Sequence, residues 1–172
     1  MNILFAGTPE PSAKLLQSLV KNNNINMVGV ITKPDIAQNR GKKIQQSQVS
    51  FAASEVNLPI YKPDNLNSIE FKQILLQLDF DFLIVAAYGK IIPDWMLESP
   101  KIMSINVHYS LLPKYRGASP IQSCLLNGDK KTGITFIKMS NTTIISCINR
   151  THYIFYFTFF IIPTPRNPIF IT

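Results

Sequence analysis

Carboxylates are scarce in this chain. Ten Asp and Glu stand against 17 Lys and Arg, a formal net charge of +7, and Asp129 is the last acid in the sequence. A surplus of that sign favours polyanionic partners such as nucleic acid, because the long-range field and counterion release both reward a basic surface. Charge alone is equally compatible with a soluble basic protein that binds none. Cysteine is almost absent: Cys124 and Cys147 share no metal-ligand spacing and make no disulfide framework, so a reduced, cytoplasmic setting is expected. The N-terminus, Met1-Asn2-Ile3-Leu4-Phe5-Ala6-Gly7, has no basic leader and too short an apolar run for a signal peptide. It reads as a first buried strand. The densest apolar run, Ile154–Ile162, ends at Pro163, far short of the ~20 residues a membrane helix needs. It also lacks the amphipathic period and basic face of an interfacial helix.

What is present is enough for one domain with its own core. At 172 residues, 46% hydrophobic and 16% charged, the composition is that of a soluble globular protein. Apolar runs of strand length occur at Ile3–Ala6, Met27–Ile31, Phe82–Ala87 and Ile134–Met139, with a weaker one at Ile102–Val107 and a short edge candidate at Pro59-Ile60-Tyr61. Between them, Ala13, Leu16, Leu19 and Val20 form one helical face, and Phe71, Ile74, Leu75 and Leu78 another. Strands alternating with helices predict an α/β fold, a doubly wound, mostly parallel, Rossmann-like sheet.

Open sheets of this kind take ligands beyond the carboxyl ends of their strands, where the strand order reverses. That directs attention to Gly7–Pro11, Thr32–Ser47, Tyr88–Pro93 and Asn106–Gly117. Lys33–Gln48, polar and carrying Pro34, Asn39 and Gly41, reads as a long loop of the sort that is usually functional or disordered.

Chemistry is densest at Asn106-Val107-His108-Tyr109-Ser110-Leu111-Leu112-Pro113-Lys114-Tyr115-Arg116-Gly117. Alternate residues of a strand share a face, so Asn106 and His108 can converge on one reacting atom. An amide offers a donor for a developing oxyanion, and an imidazole moves protons near neutral pH. A strand-end His is by itself more often a hydrogen-bonded structural residue.

The longer pattern is more specific. Asn-Val-His-x-Ser-Leu-Leu-Pro-x-x-Arg-Gly-x-x-Pro-Ile resembles the signature of the folate-dependent formyltransferases. Tyr88-Gly89-Lys90-Ile91-Ile92-Pro93, Asn127-Gly128-Asp129 and Thr132-Gly133-Ile134-Thr135 extend the likeness over Met1 to Met139. The opening Phe5-Ala6-Gly7-Thr8-Pro9-Glu10, and Lys33-Pro34-Asp35 followed by Arg40-Gly41-Lys42-Lys43, resemble the branch that formylates methionyl initiator tRNA. The resemblance implies 10-formyltetrahydrofolate as co-substrate, no metal, and a monomeric protein acting in translation initiation. It implies a folate pocket lined by Ser110, Leu111, Leu112 and Pro113 with Tyr88, Gly89 and Ile91, the two segments facing one cleft. Asn106 would hydrogen-bond the formyl oxygen, and His108 would stabilise that oxygen and assist proton transfer. Arg40, Lys42 and Lys43 would contact tRNA phosphates, a role that suits a flexible basic loop; a lone Arg-Gly-Lys-Lys is otherwise a solvated loop. A sugar-nucleotide formyltransferase, and a folate- or tRNA-binding remnant without turnover, are the alternatives.

The likeness breaks after Met139. The family there continues as Asp-x-Gly-Leu-Asp-Thr-Gly-Asp, whose last Asp completes a trio with the Asn and His, whereas Ser140-Asn141-Thr142-Thr143-Ile144-Ile145 carries no acid. Asp129 is expected on a surface turn, too far to substitute. The domain expectation is therefore a catalytic domain at 1–139, incomplete at its end, and an aberrant apolar tail at 140–172 lying outside the sheet or poorly packed. The family's tRNA-docking domain is expected to be absent, as after a frameshift or premature stop.

Overall fold

The computed structural model describes residues 1–38, 43–139 and 153–160. It divides into two compact units, Met1–Ile105 and Asn106–Thr172, taken here one at a time.

In the first unit, β1 (Asn2–Gly7) is buried almost without interruption, as a continuous apolar run predicts for a central parallel strand. It pairs in parallel with β2 (Asn26–Ile31) on one side and with Phe82–Ala86 on the other. Between β1 and β2 runs α1 (Glu10–Val20), which buries Ser12, Ala13 and Leu16; Leu19 and Val20 of the predicted face are half-covered. Pro11 sits in its first turn, where no backbone N–H is needed.

Lys33–Gln48 is more ordered than a loop. Within it β3 (Ile36–Gln38) and β4 (Lys43–Gln45) pair as an antiparallel ribbon. The helix α2 (Gln48–Glu55) then starts on Ser47, whose side chain accepts from the Ser50 N–H at 2.9 Å. The predicted edge strand is β5 (Ile60–Tyr61), parallel to β2. The helix α3 (Ile69–Leu76), capped by Ser68, buries Phe71 and Leu75 and leaves Ile74 exposed. Next come β6 (Phe82–Ala86) and the single turn α4 (Asp94–Leu97). The strand order of this unit is β5-β2-β1-β6. From β1 the chain moves outward through β2 to β5 and then returns to the other flank of β1. The order therefore reverses between β1 and β6, where such sheets bind ligands.

The strand β7 (Met103–His108) leads into the second unit, which contains α5 (Pro120–Leu126), β8 (Lys131–Met139) and β9 (Tyr153–Phe160). Burial along β8 alternates: Gly133, Thr135 and Ile137 face inward. The tail was expected outside the sheet or poorly packed, and the first does not hold for its described residues. Tyr153–Phe160 instead pairs antiparallel with β8, from Lys131↔Phe160 to Ile137↔Tyr153. Eight residues rich in Tyr, Phe and Ile, with no proline before Pro163, satisfy their backbone groups by adding to an available strand.

Candidate active site

Strand ends gather polar groups in each unit. In the first, β1 and β6 approach so closely that a Cβ on Gly7 would stand 2.9 Å from the Ala86 carbonyl, and 2.9 Å from the Ser12 Cβ. Ser12 Oγ donates to the same carbonyl at 2.6 Å, and Thr8 Oγ1 donates to the Tyr88 carbonyl at 2.8 Å. The switch-point loops are thus tied to each other by hydroxyls, not by packing alone. Tyr88 is fully buried, and its hydroxyl has no partner among the described residues. Burial pushes its phenol up to about 12, so it stays neutral. Gly89 has φ +75° and lies where a side chain would meet the amine of Lys33. Lys90 Nζ donates to the carbonyls of Pro63 and Asp64, and Ile91 projects its apolar side chain into solvent. Of the predicted basic trio, Arg40 and Lys42 lie outside the described residues; Lys43 begins β4, opposite Gln38.

The second unit carries the Asn-x-His pair. Asn106 and His108 are half-buried on β7 with Val107 buried between them. The Asn106 amide has no hydrogen-bond partner among the described residues, so it is available as a donor. His108 Nε2 lies 3.0 Å from the Tyr115 carbonyl. A carbonyl only accepts, so Nε2 carries the proton and Nδ1 holds the lone pair of the neutral ring. Burial lowers the His108 pKa, opposed by that hydrogen bond, so the ring is neutral at physiological pH.

Beyond His108 the chain makes a tight turn. Ser110 Oγ donates to the Lys114 carbonyl at 2.7 Å, and the Leu112–Pro113 bond is cis. Buried Thr135 of β8 ties the turn down: its Oγ1 accepts from the Leu112 N–H at 3.2 Å and donates to the Ser110 carbonyl at 2.7 Å. Ser110 and Leu112 are therefore buried structural anchors, whereas Leu111 is half-exposed and Pro113 exposed. Only the latter two present apolar surface to a ligand.

Three residues went unassigned in the sequence. Thr135 had a signal, a hydroxyl on the buried face of an alternating strand. Tyr115 had none. Asp129 lies just past the Asn127–Gly128 turn, as expected, but is not without contacts there: its Oδ2 accepts from Lys114 Nζ at 2.6 Å and from the Tyr115 hydroxyl at 2.8 Å. Lys114, then Tyr115, hold its carboxyl below the usual range. Among the described residues no cluster of His, Cys, Asp or Glu could hold a metal, and no helix is long and apolar enough to cross a membrane.

Residues 1–142 match a family described as formyl transferase. The chain is 48% identical over 141 residues to the methionyl-tRNA formyltransferase of Buchnera aphidicola subsp. Baizongia pistaciae, covering 82% of this chain and 44% of that protein. It is 48% identical over 140 residues to that of Mycoplasmopsis pulmonis, covering 81% and 47%. The chain thus spans less than half the length of these relatives. In fold it resembles the phosphoribosylglycinamide formyltransferase of Bacillus halodurans, with a TM-score of 0.63 and 16% identity over 94% of this chain and 80% of that one. A sugar 3N-formyl transferase gives a TM-score of 0.56 and 24% identity over 94% and 52%. These likenesses establish the α/β, mostly parallel, Rossmann-like architecture expected from the sequence.

Proposed function

This chain belongs to the formyl transferase family, and on that premise we propose that residues 1–139 form a catalytic domain that moves a formyl group from 10-formyltetrahydrofolate to the amino group of methionyl initiator tRNA. The observation that carries this reading is the 48% identity to relatives named for methionyl-tRNA. The chemistry follows from the residues. The attacking amine adds to the formyl carbon, negative charge develops on the formyl oxygen, and collapse of that intermediate breaks the bond from the carbon to folate N10, which leaves carrying the proton the amine has shed. Asn106 has a free amide to donate to that oxygen. The neutral His108 ring has Nδ1 to receive the proton the amine sheds, while Nε2 stays on the Tyr115 carbonyl.

Each unit, taken by itself, offers groups suited to the folate. Leu111 and Pro113 offer apolar surface for its ring system, and Tyr88 has a buried hydroxyl in need of an acceptor or donor. Ser110 and Leu112 shape the turn, and Gly89 and Ile91 complete the second folate-facing loop. Arg40, Lys42 and Lys43 take tRNA phosphates, a role that suits their charge. Cytoplasmic work as a monomer agrees with this reading.

Competition between acceptors tests it. The purified chain is titrated with a formyl-folate analogue, and then with methionyl initiator tRNA or an amino-sugar nucleotide. Binding of folate together with the tRNA supports the reading. Binding of folate together with the sugar nucleotide alone would overturn it.

A further inference from the structure

We propose that Asp129 is a positioning residue, which orients the His108 imidazole through the Tyr115 hydroxyl and the Tyr115 backbone carbonyl. Tyr115 has φ +57°, a left-handed conformation that costs a residue with a Cβ on the order of 1–2 kcal/mol. Such a conformation persists only where its surroundings over-determine it. Here both ends of the residue are pinned. Its carbonyl accepts from His108 Nε2 at 3.0 Å and from Ser110 Oγ at 3.4 Å, and its hydroxyl donates to Asp129 Oδ2 at 2.8 Å.

Asp129 is itself held. It follows Gly128, whose φ of +68° closes α5, and its N–H donates to the Cys124 carbonyl at 3.2 Å. As an anion it can only accept, so the direction of the Tyr115 hydroxyl bond is fixed. Lys114 shares the same carboxylate oxygen and its amine stands 4.9 Å from the centre of the Tyr115 ring, but its side chain is 59% exposed, so solvent screens it. The ionisable groups gathered at this turn are thus Lys114, Tyr115, Asp129 and, at 3.9 Å from the carboxylate, Cys124. Tyr115 thus links the acid to the imidazole, through its hydroxyl at one end and its carbonyl at the other. The chain has no carboxylate later in the sequence to do so. That the orientation serves formyl transfer rests on the function proposed above; the tether itself does not.

Proton exchange at His108 Nε2 tests the tether in the full-length chain. A His152→Gln background leaves His108 as the sole imidazole. One net hydrogen bond is worth ~1 kcal/mol, so Tyr115→Phe and Asp129→Ala should each speed exchange of the Nε2 proton roughly fivefold. Their combination should be no faster than either alone, since both cut one chain of contacts. Lys114→Met should leave the rate within about twofold. An unchanged rate in folded Tyr115→Phe overturns the proposal, as does additivity of the two changes or an equal effect of Lys114→Met. Should Asp129→Ala not fold, Tyr115→Phe decides alone, because it removes one oxygen from a half-exposed ring. No folate or tRNA enters the measurement, so failure of the proposed function would leave this result untouched.

Discussion

Replacing Thr135 by Val removes one hydroxyl and keeps the shape of the side chain. In the folded protein that hydroxyl is wholly buried and serves two backbone groups, the Leu112 N–H at 3.2 Å and the Ser110 carbonyl at 2.7 Å. Ser110 is itself fully buried and Leu112 is 8% exposed, so water cannot easily stand in for the hydroxyl. Each buried backbone group left unsatisfied costs ~1–3 kcal/mol. The expected loss is therefore about 3 kcal/mol, a large part of the ~5–15 kcal/mol that holds a domain together. Thr135→Ser supplies the contrast. It keeps both hydrogen bonds and removes one buried methyl, for a loss of about 1 kcal/mol. Urea unfolding of the three proteins, followed by circular dichroism, measures both values. A loss below about 1 kcal/mol in Thr135→Val, or equal losses in the two variants, would refute the claim that the hydroxyl secures the Ser110–Pro113 turn.

Four further outcomes are expected. Leu111→Asp should weaken binding of a formyl-folate analogue at least ~10-fold in a fluorescence titration, because a carboxylate pressed against an apolar ring system loses its hydration; unchanged affinity removes Leu111 from the pocket. Substituting Arg40, Lys42 and Lys43 by Ala should flatten the dependence of log affinity for tRNA on log salt by roughly 0.7–0.9 for each phosphate left without its cation; an unaltered slope means a solvated loop. Burial depresses His108 in the folded protein, so its contribution to stability is complete above the ordinary imidazole pKa and is lost as pH falls toward the lower folded value; stability of His108→Gln that falls as steeply through that window would contradict this. Turnover by this chain should lie ~10²–10⁴-fold below that of a relative that carries the Asp-x-Gly-Leu-Asp-Thr-Gly-Asp run, because no Asp or Glu follows Asp129 to move a proton directly and Asp129 reaches His108 through Tyr115; a formylation assay near the relative's rate would point to an unrecognised third group.

Periodicity and composition were sufficient for the strands and for the fold class. Runs such as Ile3–Ala6 and Phe82–Ala87 are apolar at every position, short, and bounded by turn signals, as strands covered on both faces are, and each became a parallel strand, the second ending at Ala86. The Asn106–His108 pair was also legible, since two-residue spacing on a strand fixes a shared face before any packing is known. Apolar faces of helices were less legible: Ile74 carries the right spacing in α3 yet is exposed, because the short helix buries only Phe71 and Leu75. The paired ribbon in Lys33–Gln48 escaped notice because three-residue strands are too short to show a period. Above all, the sequence could not say what holds His108. Its partner is a backbone carbonyl seven residues on, presented by a left-handed Tyr115 and braced by Asp129 from the far end of α5. A carbonyl has no letter of its own, and contacts across a turn have no period. Residue identity therefore supplied the candidate reacting groups, while their protonation and orientation were decided by the tertiary structure that buries them.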